Sequence, residues 1–393
     1  MLDLKLLNNE LIARKDDIIK FEQKASSVSK EYMDRLPAID SMDRPVNRQL
    51  PGYSGCKILE EGPLLHPFTT RFLSRQDATD WAMRVLKNMT VAAVDGSQIY
   101  PSRQFSVPIG LAQAGIVVNR HVSVGSFSSS SKMSLIIPGD FEDAGGMYAY
   151  SQAPVSLKRH ELECDRIVEF MRSEPGSIVF FDGSIVMSFI NQIDDDKIRS
   201  RYADAIVSIL NASIETKTPV VAYTDMSLNK DLINMMRLYF RLPPTSHLTD
   251  TYLLKGLLKW GDRTRTFICD RDDRPVKNSD ASNKNNRSVL DLYGDHRDTI
   301  AFFYIQSSGG LPSKVEIPLW CHDAGMIDRI ADVVRAQCIV RPGYPDIIHR
   351  SHDYCKIGHA DADMFNGVIE SFAGRNNVKI YKSAKEFNKL LEA

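Results

Sequence analysis

No stretch of this sequence is long and apolar enough to span a bilayer, and no two cysteines stand at CxxC spacing. The six cysteines (Cys56, Cys164, Cys269, Cys321, Cys338 and Cys355) are scattered. That scatter excludes a zinc ribbon or disulfide scaffold and points to reduced thiols in a cytoplasm. No excess of either charge is present: 49 basic and 50 acidic residues leave a net charge of -1. A global basic field for nucleic acid is therefore missing. A nuclease stays open, because an acidic metal centre and a local basic rim cancel in the sum. The opening MLDLKLLNNELIARKDD mixes acids and amides into its apolar residues, unlike a secretory or transit peptide. HExxH is absent too.

What is present is a soluble globular composition, 43% hydrophobic and 25% charged. The 393 residues suffice for one large domain with appendages or for two ordinary ones. The expected division is an N-terminal helical extension and linker over 1–88, then a catalytic domain over 89–393. Leu4, Leu7, Leu11, Ile18 and Phe21 recur at helical steps, so 2–30 reads as an amphipathic helix, packed on its own core or against a second subunit. Residues 41–70, rich in proline and glycine, read as a linker, and 75–89 as a helix. Strands are expected at 90–95, 103–113 and 114–125, then at 177–182 and 219–225, with helices over 155–174, 194–216 and 229–240. Segments 299–306 and 313–320 read as paired strands, 326–338 as a helix, with at least one more within 350–373. The polar stretch RDDRPVKNSDASNKNNR (271–287) reads as a mobile insertion. Strands alternating with helices predict a mixed sheet with helices on its faces.

One unit occurs twice. VAAVDGSQI (91–99) and IVFFDGSIV (178–186) each run a buried strand into Asp-Gly-Ser. A single DG is commonly an Asx-turn, the Gly letting the chain turn sharply and the Ser starting a turn or cap. Two copies on adjacent strands would bring Asp95 and Asp182 close together, a costly pairing unless a cation or proton lies between them. Hard divalent ions suit carboxylate oxygens, and a pair of them is standard apparatus for phosphodiester cleavage. A third acid is expected from the intervening helix: Glu163 on the stripe through Ile167 and Phe170, or Glu161 if the stripe runs through Cys164 and Val168. Late in the chain, RPGYPDIIHRSHDYCKI (341–357) places His349 and His352 one helical turn apart. Either imidazole could ligate metal, move a proton or hold a phosphate.

Taken in order, VDGS (94–97), FDGS (181–184), TDTYLLKGLLKWGDRTRTF (249–267), VEIPLW (315–320) and GYPDIIHRSH (343–352) resemble the NurA family of DNA-end-processing nucleases. The resemblance implies a ribonuclease-H-like core, a mixed sheet with helices on both faces. It implies Mn²⁺-dependent cleavage of single strands and of DNA ends from the 5′ side. It also implies a homodimer docked on a HerA-type hexameric ATPase. Metal-binding acids carry over to Asp95, Asp182 and Glu163, and the family's late Tyr and His match Tyr344 and His352; His349 is extra. Asp225-Met226-Ser227 stands where relatives often carry a basic residue.

The expected mechanism has Asp95 bridging two Mn²⁺ or Mg²⁺ ions, with Glu163 and Asp182 completing one site each and His352 and Tyr344 orienting the phosphate. Lys158, Arg159, Arg263 and Arg265 are the expected contacts to the DNA backbone. Two other readings remain at this point: an actin- or sugar-kinase-like ATPase, and a non-catalytic docking subunit of an ATPase complex.

Overall fold

The computed structural model describes residues 2–103, 105–122, 126–142, 150–274 and 287–381. It divides into two compact units. One comprises 1–70, 224–272 and 301–315, the other 71–223, 273–300 and 316–393. The expected 1–88 and 89–393 division does not coincide with them. Most of the expected insertion, 275–286, lies outside the described residues.

In the first unit, the N-terminal periodicity yields two helices, Leu4–Ala13 and Lys15–Arg35. Asp3 caps the first by accepting from the Lys5 and Leu6 amides. None of that helix's residues is buried, so its leucines pack no core. The 41–70 stretch is more than a linker: Gly55–Ile58 pairs antiparallel with Phe267–Asp270, and Leu65–His66 with Arg263–Thr264. Composition alone misled here, because proline and glycine punctuate short strands as readily as they fill a linker.

The second unit carries five consecutive strands of the mixed sheet, in the order Val220–Thr224, Ile178–Asp182, Val91–Ile99, Gly110–Asn119, Phe127–Ile136. The first three run parallel and the last two complete an antiparallel meander. The parallel strands are continuous apolar runs because both faces are covered. Helix Ala153–Ser173 packs over one face, its Val155 against Gly110. Helix Asp346–Cys355 packs over the other, its Cys355 and Tyr354 against Gly115. The mixed α/β fold with helices on both faces is thus as expected. The meander is displaced by several residues from the expected 103–113 and 114–125. The boundary expected between 113 and 114 falls inside a single strand, Gly110–Asn119. A Cβ on Gly115 would stand 2.4 Å from Cys355 Sγ, so this glycine serves the approach of a helix.

Candidate metal-binding site at the sheet rim

The parallel register pairs Val94 with Phe181, which brings Asp95 and Asp182 level on neighbouring strands, a strand spacing of about 4.8 Å apart. Asp95 lies opposite Gly115 and faces helix Asp346–Cys355. There Oδ2 of Asp95 is 2.9 Å from Nδ1 of His352; a carboxylate can only accept, so Nδ1 carries the proton. Asp182, exposed at the end of its strand, accepts from the Tyr344 hydroxyl at 2.8 Å. The Tyr344 ring stands edge-on to Tyr223, centroids 5.3 Å apart.

The next residue reverses the face. Gly96 looks toward helix Ala153–Ser173, and a Cβ there would stand 2.3 Å from Oε1 of Glu163 and 2.8 Å from Cγ of Arg159. The missing side chain is therefore the space into which Glu163 reaches the strand carrying Asp95. The two glycines of the repeated motif do different jobs. Gly183, at φ +129°, does turn the chain as expected, whereas Gly96 lies inside a strand that continues to Ile99. The serines differ likewise. Ser97 donates to the carbonyl of Cys355, which also accepts from Gln113 Nε2 at 2.8 Å. These bonds tie the last turn of the His352 helix to the Asp95 strand. At its start, the Ile347 amide donates to Oε1 of buried Gln337 at 3.0 Å.

Burial holds the Glu163 carboxyl at about 7. The Arg159 guanidinium opposes that rise and the charges of Asp95 and Asp182 add to it. Withdrawal from water on its protein side also raises the Asp182 carboxyl, against the Tyr344 hydrogen bond and together with the Asp95 charge. With Asp95 beside them, the two raised carboxyls of Glu163 and Asp182 complete a hard oxygen donor set, which suits Mg²⁺ or Mn²⁺. Among the described residues, no three acidic, His or Cys side chains already close on one point as a metal cage. Asp95 is turned onto His352 and Asp182 onto Tyr344, so taking up a cation requires these side chains to turn.

The other expected site residues are placed as follows. Glu161 forms a two-pronged pair with Arg201, at 2.7 and 2.9 Å, and lies 3.8 Å from Lys158. Of the two helix glutamates, Glu163 is thus the one at the rim. His349 pairs with Asp353 of its own helix at 2.9 Å, so the two histidines do not act as a pair. Arg159 lies 3.5 Å from Glu163, and Lys158 remains partly exposed. Arg263 and Arg265 correct the expectation of DNA contact. Arg263 is buried in a double hydrogen bond with Glu60, and Arg265 donates to the carbonyls of Ile39, Met42 and Gly62. Their charges hold chain segments together and are out of reach of a phosphate. His160, on the Glu163 stripe, is buried and held neutral with its basicity depressed to about 4. Sequence reasoning did not single out Gln113 or Glu316; Gln113 is a polar residue among mostly apolar ones in its strand, an available signal, whereas Glu316 shares its strand with Ser313 and Lys314 and offered none.

The described residues contain no helix long and apolar enough to cross a membrane. Among curated proteins, none matches this chain. Solved structures similar to it include a crystal structure of NurA, 12% identical over 72% of this chain and 89% of that one, at a TM-score of 0.42. The catalytic domain of human Endonuclease V is 12% identical over 91% of this chain and 99% of its own, at a TM-score of 0.29. Drosophila Piwi is 10% identical over 67% of this chain and 29% of its own, at 0.26. A family model described as the NurA domain matches residues 89–357. That span holds both Asp-Gly-Ser strands, the Glu163 helix and the Tyr344 and His352 pairings, and across well over half its length this chain belongs to the NurA family.

Proposed function

We propose that this chain is a metal-dependent deoxyribonuclease acting on single strands and DNA ends. The observation that carries the reading is the arrangement at the rim. Two strand-end aspartates lie level on adjacent parallel strands, with a buried glutamate reaching the same strand through the gap at Gly96. Asp95, Asp182 and Glu163 would hold Mn²⁺ or Mg²⁺, two ions by the expected stoichiometry. Bound there, divalent cations supply an activated water and neutralise the departing 3′ oxygen.

The remaining groups are suited to handling the substrate. His352, with Nδ1 engaged by Asp95, presents Nε2 to solvent, where it can donate to a phosphate oxygen or accept a proton. Tyr344 offers a hydroxyl beside Asp182 and is steadied by the edge contact with Tyr223. Arg159 is a cation next to the acids and can turn from Glu163 to an incoming phosphate. Lys158 extends the positive charge along the same helix. DNA binding through these few contacts should weaken with salt.

The polarity from the 5′ side, the homodimer, the cytoplasmic setting and the HerA-type hexameric ATPase as partner are proposed from family membership. A net charge of -1 accords with a nuclease to which a motor delivers DNA. Incubating the purified protein with end-labelled single-stranded and blunt duplex DNA, with Mn²⁺ and then with chelator, tests the reading. Cleavage that requires the metal is expected. Thermal stabilisation by ATP without any cleavage would instead favour the kinase-like ATPase, and inertness toward both the docking subunit.

A further inference from the structure

We propose that Glu316 is a positioning residue for Asp182, holding rigid the loop that leaves the second Asp-Gly-Ser motif. This rests on the nuclease reading above. Glu316 comes from strand Ser313–Pro318 and is 1% exposed. A single oxygen, Oε2, accepts from the Ser184 hydroxyl at 2.7 Å, the Ile185 amide at 2.7 Å and the Val186 amide at 3.2 Å. The same loop is gripped twice more. The Gly183 amide donates to the Tyr223 carbonyl at 3.1 Å. The Tyr293 hydroxyl donates to the Ile185 carbonyl at 2.7 Å and accepts from the Met187 amide at 3.3 Å.

Burying a carboxyl group costs free energy unless donors converge on it, as three do here. An apolar side chain would fill a strand interior at no such cost. A carboxyl at this position is accounted for by the loop donors that it gathers. Asp182 is the last residue of its strand and is exposed; a strand end of this kind frays unless the following residues are anchored. Tyr344 restrains one oxygen of Asp182, and Gly183 puts a left-handed turn directly after it. With residues 184–186 bound to Glu316, the backbone on the far side of that turn cannot shift, and the Asp182 carboxylate keeps its aim at the rim. The serine of the second motif thus serves the Asp182 loop, as Ser97 of the first serves the His352 helix.

The test uses the full chain and three variants, Glu316→Ala, Glu316→Gln and Ser184→Ala, with Mn²⁺ titrated calorimetrically in the absence of DNA and cleavage kinetics measured separately. Removing a group that orients a metal ligand typically weakens binding about 10- to 100-fold, and E316A is expected in that range. Its kcat should fall while KM for an oligonucleotide stays within about twofold, as for a group acting on the chemical step. S184A removes one donor of three and should move Mn²⁺ affinity the same way by a smaller factor. E316Q keeps an acceptor oxygen and should fall between wild type and E316A. A folded E316A with wild-type Mn²⁺ affinity overturns the proposal even if its melting temperature drops. Should E316A not fold, unchanged Mn²⁺ affinity in S184A overturns it and weakened affinity supports it. Wild-type protein that neither binds Mn²⁺ nor cleaves DNA would overturn the nuclease reading and this inference together, whereas a competent wild type with indifferent variants removes the inference alone.

Discussion

Gly96→Ala is the smallest change that should disable the rim. The backbone at 96 is ordinary strand, so a Cβ adds no conformational strain there. Its effect is purely steric: contacts of 2.3 Å to Glu163 Oε1, 2.8 Å to Arg159 Cγ and 3.0 Å to the Gln113 carbonyl. The carbonyl belongs to the neighbouring strand and cannot yield, so the two side chains must. Ordinary contact requires Glu163 to withdraw by about 1 Å. Overpacking of this kind costs about 1–3 kcal/mol, or several degrees of melting temperature at about 2–4 °C per kcal/mol for a unit this size. Misplacement of a reacting group by about 1 Å can lower the rate about 100-fold. Mn²⁺-dependent cleavage of a labelled single strand, measured beside thermal unfolding, should show the larger deficit in activity. Wild-type activity and stability in G96A would refute the claim that Glu163 reaches the strand through the space at residue 96.

Other consequences follow from the same geometry. Gly183→Ala meets nothing within 4 Å but must hold φ +129°; it should cost about 1–3 kcal/mol through backbone strain, read by chemical denaturation. Glu163 is raised from 4.5 to about 7 in the folded protein, so the native state holds its proton more tightly than the unfolded chain. Its contribution is therefore complete below about pH 4.5 and lost as pH rises through about 7, a loss on the order of 3 kcal/mol in chelator. Glu163→Gln should flatten that slope in metal-free denaturation and abolish metal-dependent cleavage; an unchanged slope would contradict the burial argument. Arg263→Ala and Arg265→Ala should each destabilise the fold, by about 3 kcal/mol where a buried pair or several buried bonds are broken. Oligonucleotide affinity of the folded fraction should stay unchanged in fluorescence anisotropy, whereas Arg159→Ala should lower it and reduce its dependence on salt.

The parts of this protein that were legible in the sequence are those where one physical cause dominates a local pattern. Helices 196–216 and 327–340 and the buried strands 178–182 and 220–224 follow from periodicity and apolar runs with clear stops. Helical spacing posed the choice between Glu163 and Glu161; in the structure Arg201 holds Glu161, while Glu163 reaches the Asp95 strand at Gly96. Glycine misled at 96, because a sequence does not distinguish a glycine that turns the chain from one that admits a carboxylate. Arg263 and Arg265 misled for a related reason. A cluster of arginines looks like a phosphate track until its partners are seen, and Glu60 together with three carbonyls lies far away in the chain. Glu316 went unread because its three donors sit about 130 residues earlier, beyond any local pattern.

The measurement that bears most directly on the central claim is a crystal soaked in Mn²⁺, with diffraction data collected at the manganese absorption edge. The account predicts anomalous density bounded by the carboxylates of Asp95, Asp182 and Glu163, with Asp95 turned from His352 and Asp182 from Tyr344. Manganese bound elsewhere, or a rim left empty in a protein that still cleaves DNA, would contradict it.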